Sequence, residues 1–185
     1  QDYDGKVLVV DNQRISVPLK HSIMDACTMA ELGKSGKEIK NYLEATKMDS
    51  AVYITVDTLK YLKKGGRVTP AAAALGTLLK IKPVLQIRGE KLDSYAKART
   101  MNQAKKIMLD ALKRDVEDIF DGNAEEVHFD IAHTQNLKEA MAVKDMIEES
   151  FQGCEVSTIV PLSLSIACHI GEGAVGVAWT RKLIV

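Results

Sequence analysis

The stretch Val56-Asp57-Thr58-Leu59-Lys60-Tyr61-Leu62-Lys63-Lys64-Gly65-Gly66-Arg67-Val68-Thr69 constrains the fold of this chain more than any other. A β-branched strand ends in it, and a short helix follows with Leu59 and Leu62 on one side. Gly65 and Gly66 then stop that helix, because glycine takes positive φ and lets backbone approach a neighbour closely. Arg67 comes next, with a planar, permanently charged fork suited to a carboxylate or phosphate. Thr69 and Pro70 are a natural N-cap and first helical residue. The run Ala71–Leu79 that they open has almost no polar face, so it reads as a buried helix or the lining of something apolar.

The flanking chain alternates strand and helix patterns. Lys6–Val10 reads as a buried strand and Pro18 opens a helix of roughly Leu19 to Leu32, with Ile23, Cys27 and Ala30 as its apolar stripe. Ser35-Gly36-Lys37-Glu38 is a capping box for a second helix, and Ala51–Val56 returns as a strand. Strand, two helices and strand imply a parallel crossover. Lys82–Arg88 and Ser94–Arg99 read as a hairpin, and Met101–Phe120 as a long amphipathic helix. A strand around Phe129, a helix over Leu137–Glu149 and strands over Glu155–Val160 and Leu162–Ile170 complete the α/β pattern. Gly171-Glu172-Gly173-Ala174-Val175-Gly176 turns into a last strand.

Composition narrows the functions open to such a fold. Twenty-five basic and 25 acidic residues leave no net charge, which argues against nucleic-acid binding and against broad attraction to membrane surfaces. No apolar run is long enough for stable insertion into a bilayer. The cysteines Cys27, Cys154 and Cys168 are odd in number and unpaired in spacing, as expected for a cytoplasmic protein. The glycine turn at 171–176 mimics a dinucleotide fingerprint but leads into a strand, not a helix. No Walker loop or nucleophile elbow is present, and His128, His133 and Asp130 lack a convincing third ligand, so no cofactor, no metal and no catalytic residue is expected. Arg67 and His169 are the candidates for ligand contact: a cation, and an imidazole placed beside a glycine turn. His21, near a helix start, reads as solvated.

The motif Val56-Asp57-Thr58-Leu59-x-Tyr61-Leu62-x-Lys64-Gly65-Gly66-Arg67 resembles the DegV family. So do Leu75-Gly76-x-Leu78-Leu79-x-Ile81-Lys82-Pro83-Val84-Leu85 and His169-x-Gly171-x-Gly173-Ala174-x-Gly176, in the same order. The resemblance implies two α/β lobes with a long-chain fatty acid between them, and residues 1–57 and 58–185 would belong to the N-terminal and C-terminal lobes. It implies a bacterial, cytoplasmic acyl-binding subunit, not itself an enzyme, that presents its fatty acid to a kinase subunit for ATP-dependent conversion to acyl phosphate for phospholipid synthesis. Arg67 and His169, with Gly65, Gly66, Gly171 and Gly173, would hold the carboxylate. The family begins with more chain than is found here, so the N-terminal part is expected to be lacking. Glu172 stands where the family usually has proline, and Arg14–Pro18 replaces a glycine-bearing rim. A phosphotransferase of the dihydroxyacetone-kinase type using His169, and an inactive fragment, are the alternative readings.

Overall fold

β-Branched and apolar residues in Ser50–Thr55 (β1) form a strand at the middle of one six-stranded sheet. The computed structural model describes residues 6–70, 81–89 and 92–184. Before β1 come helices α1 (Ser16–Glu31) and α2 (Gly36–Ala45), and after it the short α3 (Lys60–Lys64). The hairpin β2 (Lys82–Ile87) and β3 (Leu92–Ala98) follows, then α4 (Met101–Phe120), β4 (Val127–His133), α5 (Leu137–Ser150), β5 (Val156–Pro161), α6 (Leu164–Ile170) and β6 (Val175–Arg181). Spatial order is β3-β2-β1-β6-β4-β5. All neighbours are antiparallel except β4 and β5, which α5 joins by a crossover. This is a mixed α/β fold.

Period-two alternation assigns each face. Tyr53, Phe129, Ile131, Val175, Val177 and Trp179 point toward α4 and α5, where Met108, Leu112, Val116, Val143 and Ile147 complete the main core. Within it, Asp115 Oδ2 accepts from Tyr53 Oη and from Trp179 Nε1, both at 2.6 Å, and Gln86 Nε2 donates to Tyr53 Oη at 2.9 Å. Burial first, then the Asp115 bond, raises the Tyr53 hydroxyl pKa well above its ordinary value. On the other face, Ile54, Val56, Leu59, Leu62, Leu85 and Ile170 form a smaller core beneath α3 and α6. Ser35 and Glu38 make the expected capping box, and the 101–120 helix and the 82–98 hairpin are present.

Five expectations are corrected. Residues 6–10 carry no strand, and Val7, Leu8 and Val9 are exposed. The neighbours of β1 are β2 and β6, both antiparallel, so no parallel crossover joins residues 6–10 to it. An apolar tetrapeptide becomes a strand only beside a partner, and none is placed there among the described residues. α1 is turned about its axis: Ile23, Cys27 and Ala30 face outward, while Val17, Pro18, His21, Ser22, Asp25 and Met29 are buried. His21 is therefore not solvated; it is 4% exposed, with Nε2 at 2.8 Å from Asp130 Oδ2. Finally, Leu164–Ile170 is helix, not strand, because Ile166 and Ile170 meet the small core at an i, i+4 spacing. The Ala71–Leu79 run lies outside the described residues. The expected lobe boundary at 57/58 falls just after β1, whose two sheet neighbours both lie beyond it.

Candidate functional site

A cavity of about 550 Å³ lies on the α1, α3 and α6 side of the sheet. Its floor is Val52 and Ile54 of β1 with Gly176 and Ala178 of β6, residues that pair across the two strands. Ile15, Val17 and Pro18 at the start of α1 form one wall, and Leu162, Ile166 and Ile170 another. Arg67 and His169 both border it, so two residues 102 positions apart that the sequence singled out are brought to the same space. A volume of this size with apolar walls and few polar groups is what a small amphiphile needs.

The end of α3 places Arg67. Arg67 N donates to Leu62 O at 3.0 Å and Gly66 N to Lys63 O at 3.1 Å, while Gly66 has φ of +64°. This is the glycine-terminated helix end that points the next residue away from the axis. Arg67 is exposed, and its Nη1 donates to Gly65 O at 3.4 Å. Gly65 has an ordinary φ of −80°, so its need for glycine is different: a Cβ there would stand 2.7 Å from His169 Nδ1. The imidazole sits directly on the helix end, in a gap that only a missing side chain provides. Gly65→Ala should displace the His169 ring and weaken ligand binding several-fold with little loss of fold. Nδ1 and Cδ2 shifts of His169 in NMR check this; unchanged shifts would show that the contact yields without moving the ring.

Gly171 and Gly173 are the positive-φ corners of the turn after α6, at +83° and +82°. They shape the turn and do not border the cavity. A Cβ at Gly171 would meet the Tyr61 ring at 2.8 Å, and one at Gly173 the Asp57 carboxylate at 2.6 Å. Thr134 and Asn136 tie the turn down: Thr134 Oγ1 accepts from Ala174 N at 2.9 Å and Asn136 Nδ2 donates to Gly173 O at 2.8 Å. Glu172 is exposed, consistent with a solvent-facing side chain. Asp57 is paired with Lys82 Nζ at 2.5 Å.

Arg14 is a cavity residue that sequence reasoning placed only on the rim. Its Nη1 donates to Ser22 Oγ at 3.1 Å and its Nη2 to Thr46 O at 2.6 Å, clasping α1 to the end of α2. Burial lowers its guanidinium pKa from the ordinary value, opposed by Asp25, Asp49 and Tyr42. Asp11, Gln13 and Gly89 stand near it, over the start of β1, whereas Arg67 and His169 stand over its end. The cavity thus has polar groups at both ends and apolar walls between. Among the described residues, no group of three or more His, Cys, Asp or Glu could hold a metal, and no helix is long and apolar enough to cross a membrane.

Comparison with known proteins follows the same outline. A DegV domain-containing protein of Clostridium acetobutylicum is 31% identical over 180 residues, covering 95% of this chain and 59% of that protein. The crystal structure of a fatty acid binding DegV family protein from Streptococcus agalactiae matches with a TM-score of 0.84 and 28% identity, over 95% of this chain and 60% of that one. A Thermus thermophilus structure, described as fatty acid binding of a DegV family protein, matches with a TM-score of 0.83 and 28% identity, over 97% and 62%. This chain therefore spans about three-fifths of the length of these relatives. The family model described as an uncharacterised protein of the DegV family matches residues 1–182, and the chain belongs to that family.

Proposed function

We propose that this protein binds a long-chain fatty acid, with the carboxylate at Arg67 and His169 and the acyl tail in the apolar cavity. The observation that carries this is the meeting of Arg67 and His169 at one end of a cavity of about 550 Å³ whose walls between its two polar ends are aliphatic. Burying the tail gains about 0.8 kcal/mol per methylene, on the order of 10 kcal/mol for a long chain before association costs. A carboxylate cannot be buried bare, and a guanidinium with an imidazole donor offsets its desolvation. Relatives described as fatty acid binding support the reading. Gly65 and Gly66 act by letting the imidazole and the arginine approach, and Gly171 and Gly173 by shaping the turn behind His169.

In the assembled system the protein is not itself the enzyme: it presents the carboxylate to a separate cytoplasmic kinase subunit, which forms the acyl phosphate for phospholipid synthesis. Residues 1–57 complete an N-terminal lobe of a two-lobed protein. The exposed Val7, Leu8 and Val9, and the outward Leu19, Ile23 and Met24 of α1, support this, since so many exposed large apolar side chains on this segment call for a cover. Organic extraction of the purified protein should release free fatty acid in near-equimolar amount, read by mass spectrometry. Absence of lipid, together with no uptake of added palmitate or oleate, would refute the reading.

A further inference from the structure

The inward face of α1 is polar. His21, Ser22 and Asp25 are buried there, while Ile23 and Met24 face out. Where α1 crosses β4, it is held by His21 Nε2 on Asp130 Oδ2 at 2.8 Å. Asp130 is fully buried, and its Oδ1 has no hydrogen-bond partner among the described residues. The His21 ring also stacks on His128, with centroids 4.2 Å apart and planes at 11°. His128 lies two residues from Asp130 and so on the same face of β4. Val17 and Pro18, on the first turn of the same helix, line the cavity.

We propose that α1 is the moving wall of this cavity, released from the sheet when His128, stacked on His21 beside Asp130, takes up a proton. The release itself follows from the cluster; its consequence, pH-dependent retention of ligand, rests on the binding reading above.

A proton on His128 puts its charge face to face with the His21 ring at 4.2 Å, and burial and His21 both disfavour it there. The other groups around the pair do not relieve this. Lys20 of α1 and Lys182 after β6 add positive charge near His128, and Asp25 of α1 faces Arg14 as well as His21. Ser157 of β5 offers only a hydroxyl, 3.4 Å from His128 Nδ1. Burial, then the charge of His21, lowers the His128 pKa from 6.5 to about 4. With α1 attached, burial and His21 hold the His128 pKa at about 4; lifting α1 removes both causes and returns it toward the ordinary 6.5. Over that window the detached state binds more protons, so every fall in pH favours detachment, and above it the preference vanishes.

The test is amide hydrogen exchange on the ligand-free full chain at pH 7.0 and 5.5, corrected for intrinsic rates, with α4 as internal reference. Protection of residues 17–29 should fall on the order of tenfold relative to α4 on acidification, the factor that linkage gives for one site moved from its ordinary pKa. His128→Gln, and His128→Phe, which keeps a stacked ring, should abolish the difference. In the wild type, cis-parinaric acid, a fluorescent 18-carbon fatty acid, should dissociate faster by a similar factor, and the variants should not show this acceleration. Parallel loss of protection in α1 and α4 overturns the proposal, as does a response that survives in both variants. So does dissociation indifferent to pH while α1 opens. Failure of cis-parinaric acid to bind at any pH instead refutes the fatty-acid reading, and the exchange result then decides on the release alone.

Discussion

Arg67→Ala should weaken fatty acid binding on the order of 100-fold, because hydrogen bonds to a charged group are worth about 1.5–3 kcal/mol and each 1.4 kcal/mol is tenfold in Kd. The fold should scarcely notice. The side chain is exposed, and its Nη1 makes only a long bond, 3.4 Å, to Gly65 O. The backbone bonds that end α3 come from Arg67 N and Gly66 N and survive the substitution. Titration with cis-parinaric acid, beside a thermal melt, checks both halves. Arg67→Lys should recover part of the affinity, since an ammonium restores charge but not the planar fork. An unchanged Kd for Arg67→Ala would remove the guanidinium from the binding mechanism.

Asp115→Ala should be the most damaging single change in the main core, lowering stability by about 4 kcal/mol. One carboxylate oxygen serves two buried donors, Tyr53 Oη and Trp179 Nε1, each at 2.6 Å. Each donor left unpaired costs about 1–3 kcal/mol. For a chain of this length the melting temperature should drop roughly 8–16 °C, from about 2–4 °C per kcal/mol. Gln86 still donates to Tyr53, but it offers nothing to the indole. Asp115→Asn keeps an acceptor and should lose much less; equal losses in the two variants would locate the damage in charge, not in orphaned donors. The pH dependence has a definite sign. Tyr53 is raised above its ordinary pKa of 10.0, so above pH 10 the unfolded tyrosine loses its proton while the folded one keeps it. Stability therefore falls as pH rises past 10.

What the sequence made legible was local. The glycine pair, the capping box at Ser35, the hairpin at 82–98 and the helix at 101–120 rest on nearest-neighbour chemistry, and each is found as expected. Arg67 and His169 could be named because few residue types suit an anion, and the cavity brings them together. What failed was anything that depends on a partner. The apolar stripe of α1 was assigned to the core by pattern, yet polar residues occupy the inward side because Asp130 and Arg14 offer them bonds there. Hydrophobic periodicity has no access to that exchange. Leu162–Ile170 reads as a strand because a nine-residue, largely apolar segment fits either period, and only the small core decides between them. Arg14 was visible as a charge in a loop, but its burial required the positions of Ser22 and Thr46.

The place of β6 in the sheet has a consequence for biosynthesis. β1, β2 and β3 can pair as soon as they leave the ribosome, and β4 with β5 likewise, but among the described residues the two groups do not pair with each other in the sheet. Among the described residues the sheet joins them through Val175–Arg181, which must slide between two edges already made. A nascent chain paused before Val175 carries two half-sheets with open flanks, the condition in which chaperones are most needed and mispairing is most costly.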